Sequence, residues 1–231
     1  MNSAIIAAAG SGTRFDSKTP KQFVELLGEP IIVHVAKRFA QCSLVDEIII
    51  VCAEEERDRL RSIVKRFPVG KPLRIVIGGA TRAESVRNGL ETVDSRAEIV
   101  AVHDGARPLV PIRDIASTIG KALEFGAACL TAIVVDTIKS IERDEISGTL
   151  DRMKLRRALT PQAFRVEILK LAFENIELTD DATDESYLVE KLGHPIAFVD
   201  GSPVNIKITQ LEDLIIAEAL IREERATAHI F

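Results

Sequence analysis

Short, mostly apolar runs recur through the first half of the chain, at residues 4–9, 47–52, 73–77, 99–103 and 129–135. A strand with one face in water alternates apolar and polar side chains. A run without alternation belongs to a strand covered on both faces. Segments of helical period lie between the runs, at 31–40, 55–66, 81–92 and 112–125. Alternation of this kind implies a mainly parallel, doubly wound, twisted sheet with helices on both sides, a Rossmann-like α/β fold. The pattern resumes towards the end, with helices at 166–175 and 185–192, a strand at 196–199 and a long last helix at 211–225. At 231 residues the chain suits one such domain, spanning 1–231. Residues 136–157 depart from the pattern. They are charged and alternating, with a polar turn at Asp144-Glu145-Ile146-Ser147-Gly148. This predicts a β-hairpin arm projecting from the sheet. Its apolar content is too thin for a core of its own, so the arm is expected to lean on another subunit.

The formal net charge of −5 excludes the basic face of a bulk nucleic-acid binder. It leaves room for a local basic pocket that takes polyphosphates. Cys42, Cys52 and Cys129 are scattered and form no CxxC pair, so neither a disulfide framework nor a zinc site is expected. The first apolar run follows no basic stretch and ends in a glycine loop after Ala9. It is too short for a secretion signal or a membrane span. The expected location is the cytoplasm, with no membrane partner.

After the first run comes Ala7-Ala8-Ala9-Gly10-Ser11-Gly12-Thr13-Arg14. Small residues let the backbone approach a ligand, and successive N–H groups in such a turn form an anion-binding nest. The edge of a parallel sheet is where a nucleotide is expected. No Gly-Lys-Ser/Thr follows and a third glycine is missing, so this is neither a Walker loop nor the dinucleotide fingerprint. Arg14 and Lys21 follow at short range. Taken alone they read equally as solvated surface charges or as groups that stabilise phosphoryl or nucleotidyl transfer. Further on, Gly78-Gly79 leads into Thr81-Arg82-Ala83-Glu84, a capping box that starts a helix at the end of the third run.

The opening loop followed by Pro20-Lys21-Gln22 resembles the sugar-phosphate nucleotidyltransferases, and more narrowly the 2-C-methyl-D-erythritol 4-phosphate cytidylyltransferases. Later motifs extend the resemblance over nearly the whole chain: residues 78–86, His103-Asp104-Gly105-Ala106-Arg107-Pro108, Leu159-Thr160-Pro161-Gln162, Thr183-Asp184-Glu185 and Asn205-Ile206-Lys207-Ile208-Thr209. The resemblance implies cytidylyl transfer from CTP, with Mg²⁺, onto a small polyol phosphate. It implies catalytic roles for Arg14, Lys21, Arg152 and Lys207. It places the nucleotide against Ala8, Ala9, Gly10, Ser11, Gly12, Thr13, Gly79, Ala80, Arg82 and Ser85. Many relatives are acidic where this chain has Ala80, which leaves a backbone contact there. Asp104, Arg107, Thr137, Thr160 and Thr183 fall to the acceptor, and Asp104 also to the metal. Read by itself, the Asp104–Arg107 pair has a second, less favoured reading as a local ion pair at a turn. His103 reads as a packing residue, because the attacking phosphate is already an anion. The resemblance also implies a homodimer in which the arm carries Arg152 into the partner's site. Two rivals remain at this level: a cytidylyltransferase for another polyol phosphate such as ribitol 5-phosphate, and a non-catalytic nucleotide-binding protein on the same fold.

Overall fold

The computed structural model describes residues 1–10, 19–178 and 184–228. Its central sheet is formed by β1 (Asn2–Ala7), β4 (Glu47–Cys52), β5 (Leu73–Ile77), β6 (Ile99–Asp104), β7 (Ala127–Ile133), β10 (Arg156–Arg165) and β11 (Ala197–Asp200). Two short hairpins lie apart from it, β2 (Glu25–Leu26) with β3 (Glu29–Pro30), and β8 (Lys139–Glu142) with β9 (Glu145–Thr149). The sheet order is β11-β7-β10-β6-β1-β4-β5. Neighbours run parallel except at β10, which is antiparallel to both β6 and β7. The helices are α1 (Ile31–Gln41), α2 (Arg57–Arg66), α3 (Arg82–Glu91), α4 (Ile112–Phe125), α5 (Val166–Asn175), α6 (Glu185–Lys191) and α7 (Leu211–Ala228).

The mostly apolar runs follow from burial on both faces. In β4, Ile48, Ile50 and Cys52 belong to one hydrophobic cluster, while Ile49 and Val51 belong to another. In β6, Ile99 and Ala101 divide from Val100 and Val102 in the same way. The first cluster takes in α1 and α4, the second α3, α5 and α6. A third and smaller cluster joins Leu26, Ile31, Leu109 and Ile208 to Ala217 and Ile221 of α7.

Strand β10 corrects the sequence reading, which placed its first residues in the arm and assigned no strand at residues 158–165. Pairing with β7 covers Arg156–Ala158, shifts register, and resumes at Gln162. Pairing with β6 begins only at Gln162. Pro161, which has no N–H to give a ladder, sits in that gap, and the peptide before it is cis. A proline and two leading arginines hid a central strand. The arm's turn also moves. Arg143 and Asp144 form it, with Arg143 at φ 54°, and Glu145–Thr149 is strand rather than turn. Ile141, Ile146 and Met153 on the arm are 63–77% exposed.

Candidate active site

A cavity of ≈ 340 Å³ opens where β1 and β6 end and the turn after β5 enters α3. Ala7, Ala8, Ala9 and Gly10 line it from the first strand and loop. Gly79, Ala80, Thr81, Arg82 and Ser85 line it from the α3 turn, Asp104, Gly105 and Ala106 from the end of β6, and Lys21, Gln22 and Lys207 from elsewhere. This is the edge at which parallel sheets bind nucleotides. Close packing shapes it. A Cβ on Gly78 would lie 2.6 Å from Ser85 Oγ and 2.8 Å from Ala9 Cβ, and one on Gly105 would lie 3.0 Å from the Ala7 carbonyl. The predicted capping box is formed: Thr81 Oγ1 accepts from the Glu84 N–H at 3.1 Å, and Glu84 Oε2 accepts from the Thr81 N–H at 3.0 Å.

Local structure explains how each cation arrives. Lys21 opens a 3₁₀ turn, Lys21–Phe23. Its neighbour Gln22 is buried and donates to the Ala8 carbonyl at 2.9 Å, tying that turn to the first loop. Lys207 lies between Ile206 and Ile208, both packed in the third cluster. Ile208 is fully buried, a contribution of roughly 2 kcal/mol, and its N–H donates to the Ala106 carbonyl at 2.8 Å. With its neighbours anchored, Lys207 turns to the cavity. Arg82 is the first residue of α3.

Three cations, Lys207, Arg82 and Arg107, meet at Asp104, which is 7% exposed. Lys207 Nζ lies 3.0 Å from one carboxylate oxygen and Arg107 Nε 3.2 Å from the same one. Arg82 lies 3.4 Å from the other. Burial works against the Asp104 carboxylate, but Arg82, Lys207 and Arg107 outweigh it and hold its pKa well below the usual carboxylate range. Burial also presses on the Arg82 guanidinium. Glu185 and Asp104 outweigh that and keep it protonated.

Behind Asp104 sits a buried polar chain. Thr160 Oγ1 accepts from the Asp104 N–H at 3.1 Å and meets His103 Nδ1 at 3.0 Å, while His103 Nε2 meets the Arg107 carbonyl at 3.1 Å. A neutral ring with its proton on Nε2 satisfies all three. Burial drives the His103 pKa down to about 4. The neutral form is therefore stabilising above the unfolded-state value near 6.5 and becomes a liability as pH falls towards 4. Unfolding free energy is expected to drop by about 3 kcal/mol across that window. Urea titrations at stepped pH should show the drop in the wild type and a flatter profile in His103→Gln.

Several expected roles change on these distances. The Ser85 hydroxyl donates to the Thr81 carbonyl at 2.8 Å and accepts from the Gly79 N–H at 3.1 Å, so its proton is committed and it offers a ligand only a lone pair. Thr160 is buried with its hydroxyl engaged, so it positions Asp104 and does not face an acceptor. Arg107 donates to the Asn205 carbonyl at 2.9 Å and does not line the cavity. It is a strut, as its local ion-pair reading had it. Asp104 is no metal ligand in this arrangement, because both its oxygens are taken by cations. Among the described residues no group of three or more metal-ligating side chains exists. Arg152 and Thr137 lie on the exposed arm, where the Arg152 guanidinium donates to the Val135 carbonyl, and neither lines the cavity of its own chain. Ser11, Gly12, Thr13, Arg14 and Thr183 lie outside the described residues. Five lining residues went unassigned in the sequence, Ala7, Gln22, Thr81, Gly105 and Ala106. So did Glu185, whose Oε1 accepts from Arg82 at 2.6 Å. Gln22 and Glu185 stood inside quoted motifs, but nothing local signals their partners. No helix among the described residues is long and apolar enough to cross a membrane.

Comparison with known proteins agrees with this geometry. Residues 2–223 match the family model described as 2-C-methyl-D-erythritol 4-phosphate cytidylyltransferase. Proteins of that name from Syntrophus aciditrophicus and Bacillus velezensis are 42% and 40% identical, with 96% and 98% of both chains covered. A crystal structure of 4-diphosphocytidyl-2C-methyl-D-erythritol synthase from Anaerococcus prevotii superposes with TM-score 0.83 at 29% identity, covering 96% of each chain. On a full-length match of sequence and fold, the chain belongs to the 2-C-methyl-D-erythritol 4-phosphate cytidylyltransferase family.

Proposed function

We propose that this cavity is where the chain joins its two substrates. The chain transfers the cytidylyl group of CTP to 2-C-methyl-D-erythritol 4-phosphate. The products are 4-diphosphocytidyl-2-C-methyl-D-erythritol and pyrophosphate, in isoprenoid precursor synthesis by the non-mevalonate route. An oxygen of the acceptor phosphate attacks the α-phosphorus in line, and the bond from that phosphorus to the bridging β-oxygen breaks. The attacking group is already anionic, so no general base is needed, in keeping with a neutral, buried His103.

One observation supports this reading above the rest. Lys21, Arg82 and Lys207 come from three separate segments and converge on one cavity. Bringing a phosphate dianion to a triphosphate is opposed by charge, and preorganised cations offset that repulsion. Lys21 and Arg14 act on the triphosphate and the leaving pyrophosphate, and Lys207 with Arg152 on the acceptor phosphate. The base lies against Gly79, Ala80 and Ser85. Because the Ser85 hydroxyl only accepts, an exocyclic amine suits it and a carbonyl does not, which favours cytosine over uracil. Mg²⁺, brought with CTP, would supply charge neutralisation on the triphosphate; the described residues include no group of three or more metal-ligating side chains to hold it on their own. The arm exposes Ile141, Ile146 and Met153. Burying them against a second copy gives a homodimer in which Arg152 crosses to the partner's site. The enzyme works in the cytoplasm.

Pyrophosphate release is the direct test, with each of four nucleoside triphosphates against methylerythritol phosphate and ribitol 5-phosphate, with Mg²⁺ or with a chelator. Turnover is expected with CTP, methylerythritol phosphate and Mg²⁺ together. Faster turnover on ribitol 5-phosphate, or with UTP, would overturn the substrate assignment. Turnover in none of the combinations would favour the non-catalytic rival.

A further inference from the structure

The geometry points to Glu185 as a positioning residue that holds Arg82 in place for the nucleotide and keeps it from closing fully on Asp104, which it touches only at 3.4 Å. This rests on the cavity being the CTP site. Arg82 lies between two carboxylates. Its Nη1 is 2.6 Å from Glu185 Oε1, while Nε and Nη2 are each 3.4 Å from Asp104 Oδ1. The short, charge-assisted contact is the stronger one, so Glu185 sets where the guanidinium stands.

Glu185 is itself held firmly. It is the first residue of α6 and 1% exposed. Asp184 caps the helix, accepting from the Tyr187 N–H at 3.0 Å. Gln162 of β10 hooks the same turn twice: Nε2 donates to Asp184 Oδ2 at 2.8 Å, and Oε1 accepts from the Ser186 N–H at 2.9 Å. Glu185 Oε2 has no hydrogen-bond partner among the described residues, and Arg82 is the only ion-pair partner of this carboxylate among them. Burial pushes the Glu185 carboxyl pKa up and the Arg82 guanidinium works against that, so the two groups act chiefly on each other.

Without the Glu185 charge, Asp104 is the carboxylate left within ion-pair range of Arg82 among the described residues, with Asp184 acting from farther off. A planar fork then closes on Asp104 in bidentate fashion. Arg82 withdraws from the cavity, and Asp104 loosens its hold on Lys207, now 3.0 Å away. Glu185 thus divides the labour of the cluster. Arg82 stays turned towards the nucleotide, and Asp104 keeps its hold on Lys207.

A double-mutant cycle tests this, using wild type, Glu185→Gln, Arg82→Met and the double variant, read as KM for CTP and kcat separately. Glu185→Gln keeps shape and an acceptor oxygen but drops the charge. It is expected to raise KM for CTP about tenfold, with a smaller loss in kcat. In the Arg82→Met background the same change is expected to add less than about twofold. A purely structural role makes the two changes additive, and additivity overturns the proposal, as does a wild-type KM in Glu185→Gln. An unchanged KM in Arg82→Met overturns the proposal together with the placement of the nucleotide on Arg82, so the two failures are told apart. If Glu185→Gln does not fold, Glu185→Asp, whose shorter side chain draws away from Arg82, is carried through the same cycle with the same two criteria.

Discussion

Lys207→Ala is expected to lower kcat by about 10²–10³-fold and to raise KM for the acceptor phosphate, with the thermal midpoint moved by less than about 2 °C. Two unit charges about 4 Å apart interact by about 4 kcal/mol at an effective dielectric of 20. One preorganised cation between two phosphates is thus large enough to account for a loss of that size. The fold should survive because Asp104 keeps Arg82 and Arg107 as partners, and because Ile206 and Ile208 anchor the segment without help from the lysine. Lys21→Ala is expected to lose a similar factor in kcat while leaving acceptor KM nearly unchanged, on the proposed assignment of Lys21 to the triphosphate side. Steady-state pyrophosphate release with each substrate varied in turn separates the two patterns. Near-wild-type kcat in either variant removes that lysine from the chemistry.

What was legible in the sequence was whatever a local pattern or short motif encodes. The apolar runs announced their strands because the two faces of β4 and β6 belong to different cores. Thr81 and Glu84 announced a helix start because a capping box closes within one turn. Pro20-Lys21-Gln22 and Asn205-Ile206-Lys207 marked the two lysines by resemblance, and the structure shows what the motifs do: Gln22 and Ile208 are anchors that aim their lysine neighbours. What stayed hidden depends on distance along the chain. Arg82 and Glu185 are 103 residues apart, and no pattern local to either names the other. Strand β10 was hidden because its pairing is broken where proline cannot donate. The engagement of the Ser85 and Thr160 hydroxyls inside the fold stayed hidden too, because residue type cannot show it.

The arm supplies the other prediction of large effect. Arg152→Ala and Lys21→Ala subunits, each nearly inactive alone, are expected to recover activity when mixed and allowed to exchange. Random pairing makes half the dimers mixed. Each mixed dimer joins an unaltered Lys21 to an unaltered partner arginine in one of its two sites, so about a quarter of all sites are intact. Pyrophosphate release should then rise to about a quarter of the wild-type rate. Within a single chain Arg152 stands on the exposed arm, does not line the cavity, and donates to the Val135 carbonyl. For the acceptor phosphate to meet a fourth cation, the arm has to reach a second copy. Its exposed Ile141, Ile146 and Met153 give it an apolar reason to do so. A mixture shown by mass spectrometry to have exchanged, yet no more active than its parents, would place Arg152 outside the neighbouring site and leave the acceptor phosphate to Lys207 and the charges of one chain.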